Sequence, residues 1–261
     1  MAGRILVVDG RPTGRVRLKA RLIAGGFAVA GCADARQAAA MLKDELPDLV
    51  IATGDLEELK RVIAAAEDSA IQPVPVVSLG LGGIGRDRLA ALEAGAEEVF
   101  PPDVPDMLFF ARLKALVRAL GLRMPMPPPA FRDRPGLREG AAGFVPRLRL
   151  GLVGEDARRC RGLQRLPGVE LCDAGEARVD AFLVTASGPR CAKALTAVKV
   201  LRSRRPGVPV LAVLPRKATV LAALLFDAGL ADMLREEDGQ REWQVRIERA
   251  AARARRSAAA A

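Results

Sequence analysis

Two acids stand at the ends of apolar runs, where a carboxylate could hold a cation. Asp9 closes the apolar run Ile5-Leu6-Val7-Val8 and is followed by Gly10, while Glu155 follows Gly154 after Leu150–Val153. A later apolar run of each half ends on an alcohol, Thr53 in one and Thr185 in the other. A single acid at a strand end does not offset the dehydration of Mg²⁺, which is bound through several oxygens. The chain has no His, which excludes imidazole zinc sites, His-activated nucleophiles and phosphohistidine carriage. Cys32, Cys160, Cys172 and Cys191 are scattered without a C-x-x-C pair, so reduced thiols are expected rather than zinc or disulfides. The glycines at 80, 82 and 83, and at 151 and 154, fit neither a P-loop nor a dinucleotide fingerprint. The residues therefore predict no catalytic group, no metal and no cofactor.

These positions need a scaffold, and length bounds it. The 261 residues suit two domains, each large enough for its own core. Aromatics make up 3% and Tyr is absent, so the cores must be built from Leu, Val, Ile and Ala. No leader is legible at the N-terminus and no run approaches the ~20 apolar residues that cross a bilayer. A cytoplasmic protein without membrane insertion is expected.

The net charge of +10 is uneven. Residues 1–122 carry 15 Lys/Arg against 16 Asp/Glu, residues 123–147 carry 5 against 2, and residues 148–261 carry 21 against 13. A basic half fits nucleic acid, an anionic membrane, an acidic protein, or a solvated face spelled with Arg. Prolines 125, 127, 128 and 129 forbid helix, and glycines 136, 140 and 143 loosen the stretch up to Arg147. A linker is expected over 121–147, between domains at 1–120 and 148–257.

The first half alternates strand and helix. Strands are predicted at 4–9, 27–32, 48–53, 74–79 and 99–100, with helices at 13–24, 35–45, 56–66, 86–94 and 105–120. Asp34, Asp55 and Asp156 read as helix caps. The second half repeats the order more loosely. Its strands are predicted at 150–153, 169–172, 181–185, 208–214 and 232–234, and its helices at 156–166, 191–203, 218–228 and 240–256. Only a loop or a very short helix fits between Asp173 and Val179. Uninterrupted βα units predict parallel, doubly wound sheets, and shared punctuation (Val-Pro-Val, then Ala-Gly) marks a tandem repeat.

Here the residues resemble the receiver domain of two-component response regulators. Arg4–Asp9 is similar to that family's first strand, Leu46–Ile51 to its third, Val74-Pro75-Val76-Val77 to its fourth and Ala94-Gly95-Ala96 to its turn into the fifth. The resemblance extends to the paired receivers of certain diguanylate cyclases, whose last receiver-one helix reads like Asp106–Leu113, although a chain without the cyclase part is expected. It implies an α/β fold of two flavodoxin-like, receiver-type domains, each a five-stranded parallel sheet in the order 2-1-3-4-5.

The family's chemistry uses two acids after strand one, a phospho-acceptor Asp ending strand three, a Thr or Ser ending strand four and a Lys ending strand five. Carried across, the first domain keeps Asp9, with Thr53 at the acceptor position, Gly80 at the hydroxyl position and a proline at the Lys position (Pro102 ungapped, Pro101 if shifted). In the second, Glu155 remains, with Thr185, Leu214 and Glu236 at the corresponding places. Both copies thus resemble pseudo-receivers.

Function then falls to surfaces. The resemblance implies that helix four, strand five and helix five support dimerisation and docking. Phe109 and Phe110 are adjacent and cannot both point inward, so one is a candidate contact, flanked by Arg112 and Arg118. On the terminal helix, Trp243 stands with Arg249 and Arg253. The leading expectation is a non-enzymatic adaptor acting without phosphorylation in a two-component or cyclic-dinucleotide pathway. Its expected partner is a signalling protein: a histidine kinase, another regulator, a diguanylate cyclase, or a second copy of the chain. The alternative is a nucleic-acid-binding regulator working through Arg249, Arg253 and Arg256; no helix-turn-helix or stacking platform accompanies it. A third reading is a small-ligand sensor near Thr53 and Gly80.

Overall fold

Ile5, Leu6, Val7 and Val8 are all buried, as a strand covered on both faces requires. They form β1 (Arg4–Val8), the centre of the first sheet. The computed structural model describes residues 3–44, 46–68, 74–81, 85–121, 147–154, 163, 166–185, 191–215 and 217–259.

After β1 come α1 (Pro12–Ala24), β2 (Ala28–Cys32), α2 (Ala35–Asp44), β3 (Leu49–Ala52) and α3 (Leu56–Glu67). Next in the chain are β4 (Val76–Leu79), α4 (Gly85–Glu93), β5 (Glu98–Phe100) and α5 (Asp106–Gly121). The strands are parallel in the order β2-β1-β3-β4-β5. The second sheet comprises β6 (Leu148–Val153), β7 (Val169–Asp173), β8 (Ala181–Thr185), β9 (Val210–Leu214) and β10 (Asp232–Arg235). Its order is β7-β6-β8-β9-β10, the same topology. Its helices are α6 (Cys191–Arg204), α7 (Thr219–Asp227) and α8 (Gln240–Ala259).

Local chemistry explains the boundaries. Pro12 opens α1, where a missing N–H costs nothing. Asp55 caps α3, its Oδ1 accepting the Glu58 N–H at 2.8 Å. Asp34 does the same for α2, accepting from Gln37 N–H at 2.8 Å while Gln37 Oε1 accepts from Ala33 N–H at 3.0 Å. β4 and β9 both begin two residues later than the apolar runs suggest. The cause is shared: Pro75 and Pro209 lack an N–H for the ladder, though their carbonyls still accept from Val50 and Phe182, each at 2.9 Å.

Alternate residues of β1 feed two cores. Ile5 and Val7 join α1 and α5 through Leu18, Leu22, Leu113 and Leu116. Leu6 and Val8 join α2, α3 and α4 through Ala38, Leu42, Val62 and Leu92. The second sheet lacks a counterpart of α2. Residues 174–180 turn straight back, with Asp173 Oδ1 accepting from Gly175 N–H at 2.7 Å. Of the linker expected at 121–147, only Gly121 and Arg147 are among the described residues, and most of the helix expected at 156–166 lies outside them.

The two sheets are not separate beads. α5 packs against α7 and α4 against α8. Since α4 corresponds to α7 and α5 to α8, the exchange is that of a local twofold. One apolar cluster runs without a break from Leu108, Phe109 and Ala111 of α5 into Ala222, Ala223 and Phe226 of α7.

Candidate functional site

Two places are candidates: the strand tips, where the sequence positions converge, and the contact between the two sheets.

At the first sheet's tip, Asp9 is almost fully buried and its Oδ1 accepts from Arg11 N–H at 2.9 Å. Arg15 Nη1 donates to the Asp9 carbonyl at 2.6 Å. Asp9 is therefore held by its own loop. Thr53 donates its hydroxyl to Val8 O at 3.4 Å. Gly80 has φ +106, and a Cβ there would meet nothing within 4 Å. Pro102 is exposed in the turn before α5. In the second sheet Leu214 is buried and Glu236 is exposed in the turn after β10. Thr185 Oγ1 would stand 2.8 Å from a Cβ on Gly154, whose φ is +118. Glu155 and Asp156 lie outside the described residues. Among the described residues, no three His, Cys, Asp or Glu side chains stand together as a metal site would need.

The contact between the sheets gathers far more charge. Glu98, the first residue of β5, and Arg112 on α5 are paired at 3.0 Å. Asp232, the first residue of β10, and Arg246 on α8 are paired at 3.0 Å, and the sequence separation is 14 in both pairs. Each arginine also reaches across. Arg112 Nη2 stands 2.8 Å from Asp232, and Arg246 Nη2 stands 2.7 Å from Glu98. All four side chains are at most 2% exposed. The remaining donors and acceptors are filled: Arg112 Nη1 donates to Ala231 O at 2.7 Å, and Arg246 Nε to Glu242 at 3.0 Å. Arg88 of α4 pairs with the same Glu242 at 2.8 Å.

Burial alone pushes the Glu98 carboxyl up, but Arg246, Arg112 and Arg88 outweigh it and hold the group well below the usual carboxylate range. Asp232 is likewise lowered, with burial opposed by Arg112, Arg246 and Arg253. Arg246 is raised well above the ordinary guanidinium value, burial being outweighed by Glu98 and Asp232. Glu98, Asp232 and Arg246 stay charged because each is paired and hydrogen-bonded.

The rim continues the pattern. Arg118 Nη2 donates to Phe226 O at the end of α7, at 2.8 Å. In the reverse direction Arg249 donates to Leu92 O at the end of α4 and to Ala96 O between α4 and β5. A cation at a helix C-terminus is favoured by unpaired carbonyls and the macrodipole. Arg253 joins Glu97 and Asp232.

Of the interaction residues named from sequence, Arg112, Arg118, Arg249 and Arg253 face the other sheet of the same chain rather than an external partner. Phe109 is fully buried, edge-on to Phe100 at 5.0 Å, and Phe110 is half-buried against Phe27 at 6.4 Å. Trp243 is buried and its Nε1 donates to Arg235 O at 2.8 Å. Sequence reasoning missed Glu98 and Asp232. The signal was present: an acid opening each fifth strand, with an Arg fourteen residues on.

No family model matches the chain. It is 28% identical over 199 residues to the response regulator PleD of Caulobacter vibrioides, covering 72% of this chain and 43% of that protein. It is 31% identical over 116 residues to the probable transcriptional regulator ycf27 of Guillardia theta, covering 44% of this chain and 45% of that one. The matched part is under half of each relative. Among solved structures, the receiver domain of a signal transduction histidine kinase from Syntrophus aciditrophicus is 26% identical, with 49% of this chain and 99% of that one covered and a TM-score of 0.41. A two-component response regulator from Clostridium difficile is 18% identical, covering 44% and 95%, with a TM-score of 0.38. In its sequence relatives and in the 2-1-3-4-5 order of both sheets, the chain is similar to response-regulator receivers.

Proposed function

We propose that this chain is a non-enzymatic signalling adaptor of the cytoplasm, built from two receiver-like lobes at 1–120 and 148–257 joined by 121–147. It acts by phosphorylation-independent contact with a signalling protein of a two-component or cyclic-dinucleotide pathway. The observation that carries this reading is the tip of β3. Thr53 stands where a carboxylate would be needed, its hydroxyl spent on Val8 O, while Asp9 is bound by its own loop and Asp55 caps α3. A hydroxyl without a base or a cation is not an acceptor that works unaided.

The contact between the lobes supports the same reading. The helices α4 and α5, the face expected to serve partners, are covered by α7 and α8. A lobe pair closed by buried ion pairs within one chain needs no phosphoryl group to assemble it. Of the arginines of α8 offered for nucleic acid, Arg253 is occupied with carboxylates and Arg249 with carbonyls, and the side chain of Arg256 lies outside what is described.

Incubation of the full chain with acetyl phosphate and Mg²⁺, followed by intact-mass measurement, tests the proposal. The expected result is no gain of about 80 Da, roughly one phosphoryl group. A stable gain of that mass on either lobe overturns it.

A further inference from the structure

We infer that the free flank of α6 is a docking surface for an acidic amphipathic helix of a partner protein, seated where the first sheet carries α2. The inference rests on the adaptor reading and names the chemistry of its partner. In the first sheet α2 packs against α3 and β1, burying Ala38 and Leu42, and Glu58 of α3 accepts from Ala35 N–H at its start. In the second sheet residues 174–180 replace that helix, and no described helix stands beside α6 on that side.

One contact shows which flank is free. A Cβ on Gly229, just past α7, would lie 3.2 Å from Arg202 Nε, so Arg202 marks the α7 side of α6. At 3.6 residues per turn, the opposite flank carries Lys193, Ala197, Val200 and Arg204. Lys193, Val200 and Arg204 are exposed, Val200 with 42% of its surface free. Cys172 on β7 is half-buried against the apolar cluster that α6 closes.

The charge of this region selects the occupant. Residues 181–226 contain eight Lys/Arg and no Asp/Glu, whereas α3 balances Glu57, Glu58 and Glu67 with Lys60 and Arg61. Lys193, Lys199 and Arg204 have no ion-pair partner among the described residues. A flank of cations interrupted by Ala and Val matches carboxylates and apolar residues at helical spacing. A duplex would use the cations and leave Val200 unmatched. A bilayer would need an apolar face to insert, and that of α6 is already buried through Ala194 and Val198. The segment 123–147 carries five Lys/Arg against two acids, so its charge opposes binding here.

The test titrates the full chain, by fluorescence anisotropy, with a labelled amphipathic helical peptide whose polar face is Glu. A Lys-for-Glu peptide, duplex DNA and phosphatidylserine vesicles form the other arms. The Glu peptide is expected to bind tightest and to slow alkylation of Cys172, located by peptide mass mapping. Lys193→Glu with Arg204→Glu should weaken it tenfold or more, about 1.4 kcal/mol, and Val200→Asp should weaken it too. Ile23→Asp on the exposed face of α1 should not. Tighter binding of DNA, vesicles or the Lys peptide overturns the inference, as does an unprotected Cys172, a readout that needs no variant. Phosphorylation of a chain that still binds the peptide would defeat the adaptor reading alone; an unphosphorylated chain that ignores the peptide would defeat this one alone.

Discussion

Arg112 and Arg246 are the residues on which the molecule's energetics turn. Each guanidinium is buried against two carboxylates, one from its own sheet and one from the other. Deleting one cation leaves two acids in a low-dielectric contact with one fewer partner each. Arg246→Ala should therefore cost about 3–5 kcal/mol in urea unfolding. Arg112→Ala should cost a similar amount, and the double variant more than the sum, because each single variant leaves the other arginine on both Glu98 and Asp232. A loss under about 1 kcal/mol for Arg246→Ala would show the network to be dispensable. Gly80 gives a different lesson. There is space for a side chain, yet φ is +106, so Gly80→Thr, which restores a hydroxyl, should cost about 1–3 kcal/mol through backbone strain, read as a lowered urea midpoint.

At the scale of elements, helix ends and helix contacts were set by different forces. α3 begins where Asp55 accepts from Glu58 N–H, and Asp55→Ala should lower stability by about 1 kcal/mol. The junction of α1 with α5 depends on the absence of a side chain. A Cβ on Gly25 would stand 2.6 Å from Phe110 Cε1, so Gly25→Ala must displace a ring wedged beside Phe27 and Phe109. A loss of about 1–3 kcal/mol is expected from such overpacking. The adjacent Phe109 and Phe110 resolve through this same junction: one ring fills the core, and the other lies half-buried over the end of α1.

For the whole molecule, the charged contact sets the response to pH. The folded values of Glu98 and Asp232 lie below their unfolded ones, about 4. Such groups contribute stability that is fully present above the unfolded value and is lost as pH falls through the folded one. The lobes should therefore stay joined at pH 5 and separate only below about pH 4. Small-angle scattering across that range should show a rise in radius of gyration. In Arg246→Ala, where the carboxylates lose a cation, the rise should begin at higher pH. Separation of the wild-type lobes at pH 6 would contradict the assignment. Burial also makes the contact resistant to salt, in contrast to binding at the exposed flank of α6.

Much of this was legible along the chain. Runs such as Ile5–Val8 and Val210–Leu214 specify strands by their apolar content, and Asp34 and Asp55 announce helix starts, since these are effects of neighbours within a few residues. The Thr at positions 53 and 185 is likewise a matter of composition. The fate of the basic second half was not legible. Helical spacing shows which residues share a face of α8, but not what covers that face, and Glu98, the acid that meets Arg246 from the other sheet, lies 148 residues away. Read locally, Arg246, Arg249 and Arg253 are a solvated stripe; in the folded chain they close one lobe on the other. Only the tertiary structure decided this, because pairing of buried charges is settled by the meeting of two distant surfaces and leaves no period in either one.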